Sequence, residues 1–352
     1  MIVVYGASGL VGKHACAELA GDAWRPAGRA DDLARAFAGA RVVVNCAGPL
    51  RETAARVLEA ALAAGAHYVD VGGEQAVMHA LYEQHESAAR HAGLVALPGA
   101  GVDCLLGDLA AALAAEHVCG SASDASSEIR TAPAARLAED APLDEIAVTY
   151  AYDHLALSPG SQRALFGGLA NRPLVWQRDR WEPGRAGDTR RVNAGPSFGE
   201  RDAIAFAGGD ALSIPRHIAA QRVATYVSAT QRMRALGLLA RALPFLPRTA
   251  TDLLAPYAAP DADYTRTLFG VVAQVRRGFS AAQVIVRGRD VYRSTAVIAV
   301  WAARALRDRA SGPVGMRAPG ELLHALPSLR QLARRAGLAI EPSFGRAITD
   351  GN

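Results

Sequence analysis

Three glycines in the run "VVYGASGLVGKHACAELAG" (3–21) stand where they could hold a phosphate: Gly6, Gly9 and Gly12. Ile2 to Tyr5 ahead of them is apolar and mostly β-branched, as a buried parallel strand would be, and Leu10, Val11, Ala15 and Leu19 continue at helical spacing. Strand, glycine turn and helix in that order form the setting in which a dinucleotide is bound. Gly6 permits the tight turn, Gly9 lets backbone N–H groups approach a pyrophosphate, and Gly12 lets the helix pack closely on the strand.

The choice of dinucleotide falls at the end of the second strand, about twenty residues beyond the glycine loop. Trp24-Arg-Pro-Ala-Gly-Arg29 occupies that place. An arginine there suits a 2′-phosphate, so Arg29 points to NADP(H) over NAD(H). Asp31 and Asp32 read as the start of the next helix.

Strands and helices go on alternating: helix 31–38, strand 40–48, helix 53–65, strand 67–73, helix 74–92 and strand 93–101. This pattern predicts an α/β fold, a Rossmann-type doubly wound parallel sheet. Ligands of such sheets lie beyond the carboxyl ends of the strands. Asn45-Cys46-Ala47-Gly48-Pro49, Asp70-Val71-Gly72-Gly73 and Pro98-Gly-Ala-Gly101 are therefore expected to line one crevice. Beyond "CGSASDASSE" (119–128) the pattern turns strand-rich, at 145–155, 174–182, 222–229, 270–277 and 281–288, which predicts a second α/β lobe on a mainly antiparallel sheet. The expected division is a dinucleotide-binding domain over 1–118, a substrate domain over 119–290, and C-terminal helices over 291–352 packing back on the first domain.

Composition narrows the function classes. At 352 residues, half apolar and one-fifth charged, the chain exceeds one ordinary core and has a globular balance. Its basic residues are dispersed despite a net charge of +4, which argues against nucleic acid as a partner. The longest apolar run, 296–303, falls short of the roughly 18 residues that cross a bilayer, and "MIVVY" resembles no leader, so a cytoplasmic location is expected. Four cysteines without C-x-x-C spacing suggest neither disulfides nor a zinc site. The segment 233–257 is apolar with interspersed arginines. It reads as a dimer or lobe-packing helix, a wall of an apolar substrate pocket, or a membrane-surface contact.

"GASGLVG", "VVVNCAGPL", "HYVDVGGE", "LPGAGVDCLLGDL", "GGDALSIPRHI" and "GRDVYRSTAVIAVWAARAL" together resemble the saccharopine dehydrogenase-like oxidoreductases, in particular the trans-acting enoyl reductase branch. The resemblance spans nearly the whole chain. It implies an NADP-dependent oxidoreductase in which Gly6, Ser8, Gly9, Leu10, Val11 and Gly12 hold the pyrophosphate, Arg29 the 2′-phosphate, and Asn45 to Pro49 the ring end. Where the family runs close to G-F-D-S-x-P-x-D-L, residues 101–109 keep Asp103 and Asp108 and lack the aromatic, the serine and the proline.

Lys13 is the sole lysine, so no tyrosine has a Tyr-x-x-x-Lys partner, and a lysine base at the nicotinamide is not expected. The candidate proton donors are Asp103, Cys104, Tyr152, His154 and Tyr226, of which Asp103, Tyr152 and His154 are the expected catalytic residues. The function expected is an NADPH-dependent reductase of a C=C or C=N bond in a small apolar, carrier-borne or secondary-metabolic substrate. The alternatives are a non-catalytic NADP(H)-binding sensor or scaffold, and a saccharopine-type C–N dehydrogenase.

Overall fold

The computed structural model describes residues 1–121, 125–133, 135–162, 164, 172–185, 187–228 and 263–346. The segment 233–257, with its dimer, pocket and membrane readings, lies outside the described residues. None of the described helices is long and apolar enough to cross a membrane.

The first 119 residues alternate as β1 (Ile2–Tyr5), α1 (Leu10–Glu18), β2 (Trp24–Ala27), α2 (Leu33–Phe37), β3 (Val42–Asn45), α3 (Leu50–Ala63), β4 (His67–Asp70), α4 (Gln75–His91), β5 (Val95–Leu97) and α5 (Leu105–Cys119). All pairings among these strands are parallel, with β1 between β2 and β3. The chain therefore reverses its direction of travel across the sheet at β1, and a crevice opens there beyond the strand ends. Every residue of β1, β3 and β4 is buried, because helices cover both faces. Val3, Tyr5, Val43 and Tyr68 pack toward α3, while Ile2, Val4, Val42 and Val44 join the larger core on the other side.

The remaining elements are β6 (Glu145–Asp153), β7 (Leu174–Gln177), β8 (Arg180–Pro183), β9 (Thr189–Asn193), β10 (Glu200–Ala205), α6 (Asp210–Ser213), β11 (Arg222–Ser228), β12 (Leu268–Arg277), β13 (Ser280–Arg289), α7 (Val291–Asp308), β14 (Gly315–Met316), α8 (Pro319–Leu322), α9 (Ala325–Ala336) and β15 (Ala339–Arg346). The second sheet has the order β15-β13-β12-β6-β11-β10-β9 and is antiparallel except where β6 meets β11. Period-two alternation along β6 sends Ile146, Val148, Tyr150 and Tyr152 into the core shared with α5, and Ala147 and Ala151 to the opposite face.

Several elements differ from the sequence reading. The stretch 174–182 is a hairpin, because Arg178 (φ 49°) and Asp179 (φ 62°) both adopt the left-handed backbone that a two-residue turn requires. The hairpin of β9 and β10 escaped prediction. Its turn holds a Gly-Pro-Ser-Phe-Gly run (195–199), which reverses between two strands and so lacks the strand-to-helix setting of a hydrolase nucleophile. The C-terminal segment is not wholly helical and serves both lobes. Helix α7 lies along α1, β14 extends the first sheet beside β5, and β15 forms an edge of the second sheet.

Arg304 pins α7 to α1. Its guanidinium donates to the Glu18 carbonyl (2.7 Å), to Glu18 Oε1 (3.1 Å) and to Asp22 Oδ2 (2.8 and 3.1 Å). Bonds from Arg307 and Arg304 hold the Asp22 carboxyl below its ordinary range. Arg304→Ala is expected to lower stability by about 2 kcal/mol, the scale of lost charge-assisted bonds in a partly buried site, measured as the shift in the urea midpoint.

Candidate active site

The glycine loop is shaped as a cradle. Gly6 has φ 84°, and a Cβ there would lie 2.8 Å from Ala47 of the neighbouring loop. A Cβ on Gly12 would lie 2.1 Å from the Gly6 carbonyl oxygen, so only glycine lets α1 pack this closely under the turn. Gly9 caps α1 with extended backbone; no side chain caps this helix end, and no acidic residue occupies its first turn. No side chain thus competes with an anion for the first-turn N–H groups. Ser8 and Gly9 are exposed at this mouth, and Leu10 and Val11 are half-buried. These residues fit a pyrophosphate.

At the end of β2, Arg29 spans the mouth. One guanidinium nitrogen donates to the Gly48 carbonyl (2.7 Å) and another lies 4.0 Å from Glu52, leaving the side chain 55% exposed. The nearby carboxylates are engaged: Asp31 accepts from Gly28 N (2.7 Å), and Asp32 caps α2 through Ala34 N (2.9 Å) and Arg35 N (3.3 Å). Arg29 therefore offers a cationic group beside the expected adenosine ribose, with the exposed Glu52 next to it.

Of the residues expected to line the crevice, Gly48 is exposed and Pro49 half-buried, while Asn45, Cys46, Ala47, Asp70 and Gly72 lie beneath its floor. Asn45 is fully buried; its amide donates to Thr53 (3.4 Å) and Tyr68 (3.3 Å), and its oxygen accepts from Ala47 N (3.0 Å). Asp70 accepts from Gly72 N (3.0 Å), Gly99 N (2.9 Å) and the Tyr68 hydroxyl (3.0 Å). Burial pushes the Asp70 carboxyl up to about 6 even though these donors oppose it. Burial likewise pushes the Cys46 thiol to about 12. Through these bonds Asn45 and Asp70 hold the strand-end loops in shape. A Cβ on Gly72 would lie 2.1 Å from Leu50 Cδ1, so this turn is packed closely against α3.

Asp103 and Tyr152, 49 positions apart, meet beside the loop after β4, where a Cβ on Gly73 would lie 3.0 Å from Asp103 Cβ: the Tyr152 hydroxyl donates to Asp103 Oδ1 at 2.7 Å. Asp103 is exposed, on the loop between β5 and α5, and Tyr152 is buried on β6. Desolvation by the surrounding protein raises the Asp103 carboxyl, with the tyrosine bond pulling the other way. The Tyr152 phenol rises well above its ordinary value through burial and the adjacent carboxylate. Proton release from this pair therefore falls to Asp103. His154 leaves β6 with φ 51°, and its ring makes no hydrogen bond among the described residues. The Cys104 thiol is buried and held well above its ordinary value, and Tyr226 packs on the opposite sheet face, so neither serves as a donor here. His67 accepts from Val95 N (3.0 Å) inside the sheet, and burial brings it down to about 4.

Sequence reasoning missed the group behind this pair. Tyr150 OH lies 2.9 and 3.0 Å from the two carboxyl oxygens of the fully buried Asp210, and Cys104 N donates to it at 2.7 Å. Burial, with Asp108 and Asp103 nearby, pushes Asp210 up to about 8 although the Tyr150 bond opposes the rise. The only sequence signal was the Gly208-Gly209-Asp210 run.

Residues 25–97 match the family described as the saccharopine dehydrogenase NADP binding domain, which supports NADP(H) as the cofactor. No curated protein matches the chain. Among solved structures, apo histidine-tagged saccharopine dehydrogenase (L-Glu forming) from Saccharomyces cerevisiae is similar over 98% of this chain and 99% of that one, with 12% identity and a TM-score of 0.60. An amine dehydrogenase from Mycobacterium smegmatis aligns over 91% and 95%, with 10% identity and a TM-score of 0.47. An engineered D-amino acid dehydrogenase bound to NADP+ aligns over 93% and 94%, with 12% identity and a TM-score of 0.45. The yeast likeness establishes the fold: an α/β chain with a parallel six-stranded sheet and a second, mostly antiparallel one.

Two outcomes are expected. Arg29→Ala weakens NADPH binding roughly 10- to 100-fold, the worth of one charge-assisted phosphate contact, and leaves NADH within twofold, measured by calorimetric titration. Asp210, raised from 3.8 to about 8, keeps a proton in the folded state that the unfolded chain has released. Its contribution is fully present below pH 4 and is lost as pH rises toward 8. Relative to Asp210→Asn, the natural protein should lose roughly 1 kcal/mol per pH unit across that window and level off above it, read from urea midpoints at several pH values.

Proposed function

We propose that this chain is an NADPH-dependent reductase of a C=N bond in a small-molecule substrate, with Asp103 as the proton-handling group and Tyr152 as its partner. The carrying observation is the exposed Asp103 carboxyl, raised by its surroundings and bonded to the buried Tyr152 hydroxyl. When bound, the cofactor supplies a hydride to the C=N carbon, and the nitrogen gains a proton to give the amine.

The carboxyl favours this bond type over C=C reduction. A carboxylate beside a protonated imine stabilises the charge the nitrogen carries, and in its acid form Asp103 can deliver that proton. Hydride addition to an enoyl group places negative charge on a carbonyl oxygen, where hydrogen-bond donors are needed and a carboxylate repels. Tyr152 directs its hydroxyl hydrogen to Asp103, which orients the carboxyl and holds down its affinity for the proton. The loop leaving β6 is pinned to α7: the Tyr292 hydroxyl accepts from Ser158 N (2.7 Å) and donates to Ser161 Oγ (2.9 Å). The glycine cradle and Arg29 hold the cofactor's phosphates. The competing enoyl reductase, C–N dehydrogenase and sensor readings make different demands on the same protein.

The deciding assay follows NADPH oxidation with cyclic imines, with ketone plus amine, and with enoyl thioesters. Imines are expected to stimulate it, and kcat should fall as pH rises through the raised Asp103 value because the acid form is consumed. Asp103→Asn should lower kcat on the order of 10²- to 10⁴-fold while NADPH affinity stays within twofold. Turnover of enoyl thioesters alone, or an Asp103→Asn variant with unchanged kcat, overturns the reading. Tight NADPH binding with no turnover of any class favours the sensor.

A further inference from the structure

We infer that Tyr150 and Asp210 are positioning residues that aim the Asp103 carboxyl by holding Cys104 in a left-handed turn. The inference rests on the reading of Asp103 as the proton-handling group. Cys104 has φ 93° and ψ −62°, a backbone conformation that side-chain-bearing residues rarely adopt, and it separates Asp103 from the first residue of α5. Strain of this kind persists only where neighbouring groups over-determine it. The structure supplies such a group from the other lobe.

Tyr150 and Tyr152 project from the same face of β6, two residues apart. Tyr152 takes the Asp103 carboxylate, and Tyr150 takes the next backbone N–H, that of Cys104 (2.7 Å). The two tyrosines thus grip consecutive residues of one loop. Behind Tyr150, Asp210 brackets the hydroxyl with both oxygens, and Thr225 Oγ1 reaches the carboxyl at 3.5 Å. The third residue of α5 is a glycine for a visible reason: a Cβ at Gly107 would lie 2.2 Å from Asp210 Oδ1 and 2.8 Å from the Tyr150 hydroxyl. A site carved this closely into a helix is built around the pair.

Removing the Tyr150 hydroxyl leaves the Cys104 N–H and the Asp210 carboxyl buried without that partner. The peptide between Asp103 and Cys104 can then relax toward negative φ, which carries the Asp103 side chain away from Tyr152. If that displacement is the defect, a residue that adopts φ near +90° unaided should cure it, and glycine at 104 is that residue.

The test compares Tyr150→Phe, Cys104→Gly and the double variant by crystal structure, NADPH titration, and kcat and KM for imine reduction. In Tyr150→Phe the distance from Asp103 Oδ1 to Tyr152 OH should pass beyond hydrogen-bond reach, kcat should fall at least tenfold, and the NADPH dissociation constant should stay within twofold. The double variant should regain both the contact and most of the lost kcat, a rescue that a purely stabilising role for Tyr150 does not give. A contact left intact in Tyr150→Phe, or one not regained in the double variant, overturns the inference. Should Tyr150→Phe not fold, Asp210→Ala with and without Cys104→Gly takes its place under the same criteria. If the natural protein reduces no imine, the functional reading fails, and the Asp103–Tyr152 distance in the variants still decides the positioning role.

Discussion

Helix α5 is buried on nearly every side, and both lobes depend on that burial. Its alanines, Ala110, Ala111, Ala114 and Ala115, have essentially no exposed surface, and the helix packs against β12, β13, β6 and α9. A helix apolar all round is stable only inside a core. Small side chains let the second sheet approach its backbone, so one continuous core runs from β1 of the first sheet to β13 of the second. The relation between the lobes is thereby set by packing. The loop entering α5, which carries Asp103 and Cys104, is held from both sides.

Four carboxyls surround this helix entry; neutral donors bond Asp70, Asp103 and Asp210, while Asp108 also lies 3.0 Å from His217 Nε2 and keeps its second oxygen buried without a hydrogen-bond partner among the described residues. Asp70 binds two backbone N–H groups and a tyrosine, Asp210 brackets a tyrosine, Asp103 accepts from a tyrosine, and Asp108 accepts from Gly320 N at 2.8 Å on α8. Neutral donors fix the geometry of a carboxyl without cancelling its charge as an arginine does. Asp70, Asp103 and Asp210 are consequently raised by desolvation. Desolvation by the surrounding protein thus raises even Asp103, the exposed member of the group, against the pull of its Tyr152 bond.

The cofactor end shows the reverse economy of groups. Asp31 and Asp32 are consumed by the turn and the helix cap, Asn45 by its own loop, and Arg29 keeps much of its surface exposed. A 2′-phosphate would meet a guanidinium there, the neighbouring Asp31 and Asp32 carboxylates being engaged by the turn and the helix cap.

The sequence by itself determined what successive residues can encode. Backbone freedom at Gly6, the missing side chain at Gly12, the β-branched runs of β1 and β3, and the helical spacing of Leu10 to Leu19 are local properties, so the cradle, the parallel sheet and the place of Arg29 were legible. Tertiary structure alone decided the chemistry beyond them. Asp103 finds Tyr152 across 49 positions, and Tyr150 finds Asp210 across 60, through strand register and helix packing that no local period records. The same distance effect turned Asp70 inward, folded 174–182 into a hairpin, and carried β15 into the second sheet. Residue types announce what a side chain can do; the contacts that make it do so arise only when separate elements bury one another's faces.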